Sequence, residues 1–324
     1  MQLRILIVLS ASSTVFGWIK KANVTFSPLH SGAMRLTAPR TQTDNRAITT
    51  SLYEAAQKHY SEYGYYFPIR APSAAKAYDN HARLETFEMS LIGRIVGRMW
   101  AKLHLLLTWM DNLVRSKAIL DAVKFVLGPN ILYWQISLFI KNAYDPGFLF
   151  WHQGLTCWGL SEPDVCTAWV VLSLATLGSG AIRVLPPTHE WRQVAHTGSF
   201  DTDNLLTWSQ VVDAEIDEEQ AVNLVFAPSK ISLHHVRLVH ASKPNHAEDR
   251  SIGLAIRYVL QNVRQVIGVS DRALLAGGEN RYGYFDEERS LVADSTLDVV
   301  ARHTRITETC EGFIYSGMDN RWDN

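Results

Sequence analysis

Cysteine is scarce in this chain. Cys157, Cys166 and Cys310 are the three present among 324 residues, too few and too scattered for a disulfide framework and without the paired spacing of a zinc site. They read as reduced, buried thiols. Net charge is equally small: 31 basic against 32 acidic residues leave -1, which provides no surplus to hold or steer toward a polyanion, so nucleic acid is not an expected partner. Internal repeats, coiled-coil heptads and basic runs are missing, which argues against a scaffold or interaction array. The apolar run Ile5 to Leu9 falls far short of the roughly 20 residues that cross a bilayer, so no membrane span is expected. With Arg4 before it and the small residues Ala11 to Thr14 after it, that run loosely imitates a secretory signal. A cytoplasmic location is the expectation, with passage into the secretory pathway or an organelle left open by residues 1–20. Met34 offers a second start, and Asn23-Val24-Thr25 would be a glycosylation acceptor only in a secreted chain. Residues 1–46 are therefore read as an extension, signal-like or disordered.

What is present suits a globular protein: 47% hydrophobic and 19% charged residues are enough for a full core. Leu52, Ala55, Ala56, Tyr60 and Tyr63 recur at helical spacing between Ala47 and Tyr63, and Gly64 stops the pattern. The aromatic run Tyr65 to Arg70 predicts a strand, and helices are predicted from Ala74 to Met89 and from Asn112 to Leu127, the latter closed by Gly128-Pro129-Asn130. Short β-like runs then follow: Ile131 to Lys141, Phe148 to His152, Val165 to Leu172, Ala181 to Leu185, Ala221 to Phe226, Ser232 to Val239 and Ile252 to Leu260. Helices first and a cluster of strands afterwards indicate an α+β domain, one unit over 47–324, in which helices buttress a β-sandwich or barrel. Arg192 to Gln220 reads as an irregular loop over the barrel mouth. The pattern from Arg272 onward is too weak to place.

Three segments stand out in order: Phe150-Trp151-His152-Gln153-Gly154, then Val239-His240-Ala241-Ser242-Lys243-Pro244-Asn245, then Arg250-Ser251-Ile252-Gly253-Leu254-Ala255-Ile256-Arg257-Tyr258. Here the chain resembles the phytanoyl-CoA dioxygenase family, whose motif is His-x-Asp, a distant His and an Arg about ten residues later. Leu127-Gly128-Pro129-Asn130, Phe139-Ile140-Lys141, Thr167-Ala168-Trp169 and Arg183-Val184-Leu185-Pro186 leading to His189 support the resemblance, which covers roughly residues 47–265. It implies a double-stranded β-helix (jelly-roll, cupin-like) core and an oxidoreductase using Fe(II), 2-oxoglutarate and dioxygen on a small-molecule substrate. By the same resemblance His152 and His240 are the iron-binding imidazoles, Arg250 pairs its fork with the distal carboxylate of 2-oxoglutarate, and Ser242, Lys141 and Trp169 are further co-substrate residues. Two imidazoles and a carboxylate on one face of Fe(II) leave positions for a 2-oxo acid and dioxygen, which is why such residues recur together.

Each residue also has a plain reading. A lone His on a strand is more often structural than a ligand, and the chain has twelve. His234, His235 and His246 read as core or surface residues, His189 as structural, Trp151, Trp158 and Trp169 as core or pocket-wall aromatics, and Arg257 as a salt-bridge partner. The departure from the motif is Gly154, which stands where the family has its iron-binding Asp. Three outcomes follow. A halide, chloride or bromide, occupies the open position at Gly154, as in the iron and 2-oxoglutarate-dependent halogenases, whose motif is likewise His-x-Gly or His-x-Ala. Alternatively water or another carboxylate completes the iron and the enzyme hydroxylates, although Asp145 and Asp164, the nearest acids, sit beside prolines in turns. In the third outcome the lost ligand leaves an inactive family member that only binds. A non-enzymatic binding barrel is the reading from a different class, and His240 with Arg250 argues against it. Halogenation is the expectation that Gly154 favours. No basic patch for the phosphates of CoA is evident.

Overall fold

Alternation along the strands dictates the layers. In the strand Ser251–Leu260, the residues Ile252, Leu254, Ile256 and Tyr258 belong to the main buried core, and the period of two turns Gly253, Ala255 and Arg257 to the opposite face. The computed structural model describes residues 54–70, 73–91, 101–198, 201–206, 210–228, 230–267 and 271–316, all within one unit, Arg46–Asn324. The expectations for residues 1–46 lie outside the described residues.

A helix over residues 54–63 (α1) leads to the strand Tyr65–Arg70 (β1), and the helix Ala74–Ser90 (α2) starts where the Ser73 hydroxyl accepts from the Lys76 amide. The single helix expected from Asn112 to Leu127 is two, Thr108–Val114 (α3) and Lys117–Leu127 (α4). Tertiary packing overrides the local pattern here: the Tyr258 hydroxyl donates to the Val114 carbonyl at 2.6 Å, taking the acceptor that a continuous helix would use, and Ser116 is extended. Gly128, at φ 94, ends α4.

The strands follow: Ile131–Lys141 (β2), Leu149–His152 (β3), Val165–Val171 (β4), Ile182–Val184 (β5), His196–Gly198 (β6), Gln210–Val212 (β7), Val222–Asn223 (β8), Lys230–His235 (β9), His240–Ser242 (β10), Ser251–Leu260 (β11), Arg272–Gly277 (β12) and Asp286–Glu287 (β13), before the helix Leu297–Ser316 (α5). A larger sheet runs β1-β9-β4-β11-β2-β12-β13 and a smaller one β3-β10-β5-β8; all these neighbours are antiparallel except β12 and β13. The sheets face each other, since Lys141 of β2 bonds Ser242 of β10 and the His234 ring of β9 lies 5.2 Å from that of His240 on β10. This is the double-stranded β-helix, an α+β architecture with helices packed on the outer face of the larger sheet.

Further elements depart from the expectations, and the run Ala221 to Phe226 is a strand only over Val222–Asn223. The run Ser232 to Val239 is a strand only to His235, because the chain then turns, with the Leu238 amide on the His235 carbonyl at 3.0 Å, to cross from one sheet to the other. Arg192 to Gln220 contains the β6–β7 hairpin, and its Val212 packs with Trp151, Leu185, Val239 and Ala241 on the outside of the smaller sheet. The tail from Arg272 adds β12 to the edge of the larger sheet against β2. Among the described residues no helix is long and apolar enough to cross a membrane.

Candidate active site

β3 and β10 are neighbours with His152 and His240 directly opposed, and cross-strand partners on one face lie about 5 Å apart at Cβ. Their ring centroids are 4.1 Å apart, tilted by 48°. Each Nδ1 lies 2.8 Å from the carbonyl two residues earlier, Phe150 for His152 and Leu238 for His240. A carbonyl only accepts, so each Nδ1 carries the proton and each Nε2 keeps its lone pair, with no described residue bonded to it. Burial, aided by the neighbouring imidazole, holds His152 well below the ordinary histidine value, and burial takes His240 down to about 4. Two unprotonated, oriented imidazoles that converge across one strand pair fit a divalent transition metal.

Nothing acidic joins them. Among the described residues no group of three His, Cys, Asp or Glu is placed to hold a metal. Asp145 accepts from the amides of Asn142 and Gly147 at 2.8 and 2.9 Å, and Asp164 from Asn262 at 3.2 Å. A Cβ at Gly154 would lie 2.9 and 3.1 Å from Cη2 and Cζ2 of Trp158. The volume beside Gly154 thus holds an indole edge. That ring is pinned by Trp134, 5.4 Å away by centroids, and by the Arg257 guanidinium, 4.6 Å above its centre.

Two residues beyond His240 on the same face of β10, about 7 Å along the strand, the Ser242 hydroxyl accepts from Lys141 Nζ at 2.7 Å. Lys141 also donates to the carbonyls of Gly180 and Lys243. Burial lowers its pKa to about 8, with Asp145 opposing. Trp169 lines the same face and stacks on Phe139 at 5.6 Å; it fits because Gly253 has no Cβ, which would come within 2.2 Å of the ring. The structure therefore brings His152, His240, Ser242, Lys141 and Trp169 together.

Arg250 is elsewhere. Its fork holds Glu88 of α2 through Nη1 and Nη2 at 2.8 and 2.9 Å. It precedes β11 in phase with Ile252 and Leu254, and in a strand a one-residue step changes the face. Arg257 is the arginine that points inward. Its Nη1 donates to Ser137 at 2.8 Å, and its charge is among the causes that depress His152, His234 and His240. The available signal was parity, because Arg257 alternates with Gly253 and Ala255. His234 is buried, its Nδ1 has no hydrogen-bond partner, and its ring does not complete a three-ligand group. Gln153, between His152 and Gly154, anchors the end of β3 by donating to the Arg237 carbonyl and accepting from the Val194 amide, both at 2.9 Å. His189 binds the Ser61 carbonyl, and Cys166 is buried and free, its thiol pushed up to about 12 by burial.

Comparison with known proteins agrees with this geometry. Residues 93–252 match the model of the phytanoyl-CoA dioxygenase (PhyH) family. Over those residues the chain is similar to this family. It is 29% identical over 171 residues to a probable alpha-ketoglutarate-dependent hypophosphite dioxygenase of Stutzerimonas stutzeri, covering 51% of this chain and 58% of that protein. It is 23% identical over 164 residues to an L-proline trans-4-hydroxylase of Streptomyces griseoviridis, covering 45% and 61%. The chain thus spans about three fifths of the curated relatives it matches. The solved non-heme monooxygenase ThoJ superimposes with a TM-score of 0.74 and 29% identity over 82% of this chain and 100% of that one. CytC3, solved with Fe(II) and alpha-ketoglutarate, shares the fold at a TM-score of 0.56 and 19% identity over 73% and 93%. In sequence and in fold this chain is therefore similar to non-heme oxygenases.

The histidines carry a pH prediction. His152 and His234 lie well below the ordinary value and His235 and His240 are near 4, all first by burial. Unfolded, they take up protons near pH 6.5; folded, all four resist protonation at that pH, His235 and His240 until about pH 4. Between those values the unfolded state binds more protons, so stability falls as pH falls. A melting series on the metal-free protein is expected to stay level from pH 8 to 7 and to decline from 6.5 to 4.5. A flat series would remove the buried neutral imidazoles from the picture.

Proposed function

We propose that this chain is a member of the phytanoyl-CoA dioxygenase family, an Fe(II)/2-oxoglutarate-dependent oxidoreductase that functionalises an unactivated C–H bond of a small molecule. The observation that carries it is the register-matched pair His152 and His240, each with Nδ1 committed to a carbonyl and Nε2 bare, with the Lys141–Ser242 contact one strand step deeper. Bound there, iron with 2-oxoglutarate and dioxygen supplies the oxidising power to break a C–H bond. The chain's part is positional. His152 and His240 hold the metal, while Lys141 and Ser242 seat the distal carboxylate of the co-substrate. Trp169 lines the pocket face that carries Phe139, and Trp158 edges the space beside Gly154.

With no carboxylate beside the imidazoles, a metal held by His152 and His240 would take a further ligand from solution. A halide there makes the reaction halogen transfer, the finer reading that the uncharged Gly154 favours. Water there makes it hydroxylation, and the Trp158 edge, 2.9 Å from where a side chain at 154 would begin, favours that smaller ligand. The relatives' names, for hypophosphite and L-proline, support a small polar substrate.

The test is the visible charge-transfer band of the anaerobic protein with Fe(II) and 2-oxoglutarate, recorded with and without chloride. A band is expected, and its loss in both His152→Ala and His240→Ala. A shift with chloride selects halogen transfer and an unmoved band selects hydroxylation, whereas a wild-type protein without a band overturns the reading.

A further inference from the structure

We propose that Arg257 is the seat of an oxyanion on the organic substrate, so that the substrate carries a carboxylate or a chemically similar group. The inference rests on the assignment of the co-substrate carboxylate to Lys141 and Ser242, which leaves a second inward cation unmatched. Lys141 has three oxygen acceptors and the charge of Asp145 nearby. Arg257 has one, the Ser137 hydroxyl, and its Nε is buried without a hydrogen-bond partner. No acid among the described residues pairs with it; burial lowers its pKa to about 10 with only Tyr133 opposing, so it stays charged at neutral pH. A desolvated guanidinium without a counter-charge is costly, and its planar fork matches an oxyanion bidentately.

The placement is where a substrate group belongs. The ladder between β11 and β2 slips at Arg257 and Tyr258, so that Arg257 faces Gln135 and Tyr258 faces Tyr133 with Trp134 left over. Such bulges re-aim side chains beside active sites. The guanidinium lies over Trp158, whose far edge abuts Gly154, and its field reaches both His152 and His240. An oxyanion on Arg257 would hold the rest of its molecule next to the imidazole pair, and at a different place from the Lys141–Ser242 seat.

The experiment is calorimetric titration with sodium acetate and, separately, inorganic phosphate at constant ionic strength. It is run on the metal-free protein and on its anaerobic Fe(II)–2-oxoglutarate complex. Wild type is expected to bind at least one of the two saturably in both forms. Arg257→Gln is expected to weaken that binding at least tenfold and Arg257→Lys, which keeps the charge and loses the fork, by less. The 2-oxoglutarate dissociation constant of Arg257→Gln, read from the charge-transfer band, should stay within threefold of wild type. Preference for acetate or for phosphate distinguishes a carboxylate from a phosphoryl group. No saturable binding by wild type, equal binding by a folded Arg257→Gln, or a tenfold loss of 2-oxoglutarate in that variant overturns the proposal, the last by making Arg257 the co-substrate's own seat. If Arg257→Gln does not fold, Arg257→Lys with unchanged anion binding overturns it instead. A wild type without a charge-transfer band defeats the functional reading alone, since the metal-free titration still reports on Arg257.

Discussion

Gly154→Asp is expected to bind Fe(II) no more tightly than the unmodified chain, while Gly154→Asp combined with Trp158→Ala binds it at least tenfold more tightly. The single change restores the family's third ligand in name. Its Cβ, however, would start 2.9 Å from the Trp158 ring, and that ring is held by Trp134 and by Arg257. A rigid indole does not move aside cheaply in a close-packed site. Removing it makes room for the carboxylate to reach the metal proposed at His152 and His240, and one more anionic ligand on a divalent ion is worth tenfold or more. Trp158→Ala alone is the control, and the stability cost of truncating this half-buried aromatic is read separately by melting. Metal titration in the presence of 2-oxoglutarate checks the series. An increase from Gly154→Asp by itself would show that Trp158 swings freely and that the space beside Gly154 is open after all.

The largest effect on stability belongs to a site remote from the pocket. Glu288→Ala is expected to cost about 3–5 kcal/mol, the range for breaking one half of a buried ion pair. Lys102 and Glu288 have side chains 0% and 1% exposed and meet at 2.6 Å. His104 Nε2 lies 2.7 Å from the other Glu288 oxygen, and His104 Nδ1 meets the Tyr133 hydroxyl at 2.8 Å. Burial pushes the Glu288 carboxyl up, but the charges of Lys102 and His104 and their hydrogen bonds pull it down to about 2. Loss of the carboxylate takes from the buried Lys102 ammonium its contact with Glu288, while its bonds to the carbonyls of Trp134 and Arg272 remain, and removes the partner of His104 Nε2. Glu288→Ala with Lys102→Met is expected to recover most of the loss, because it removes the ammonium that lost this contact. Urea unfolding of the three proteins checks both statements; a loss below 1 kcal/mol for Glu288→Ala would mean that water or another group neutralises Lys102.

Much of the site was legible as spacing. His152 and His240 could be singled out by their neighbours, and Lys141 by its place after Phe139-Ile140, because these residues sit in short strands whose pattern repeats locally. Arg250 and Arg257 show where linear spacing gives out. Arg250 immediately precedes β11 and Arg257 lies within it, and what separates them is seven residues, an odd number, which puts one against Glu88 on a helix and the other in the barrel. Counting from His240 selects Arg250; counting faces selects Arg257. His234 was unreadable for a similar reason: nothing near it in the chain predicts the 5.2 Å approach to His240 from another sheet.

By itself, the amino-acid sequence determined the α+β class, the order of helices before strands, the paired imidazoles and the absence of a carboxylate two residues after the first of them. These depend on residue type and on periods of two and 3.6, which a chain carries locally. Tertiary structure alone decided which arginine enters the pocket, that the place vacated by the missing Asp is edged by Trp158, and that the helix before Gly128 breaks so Tyr258 can reach Val114. It also decided that the unreadable tail supplies an edge strand and, in Glu288, a buried counter-charge to a lysine 186 residues earlier. Each of these is a contact between groups far apart in the chain, fixed by how two sheets and a helical layer share one core, and no local pattern records such distances.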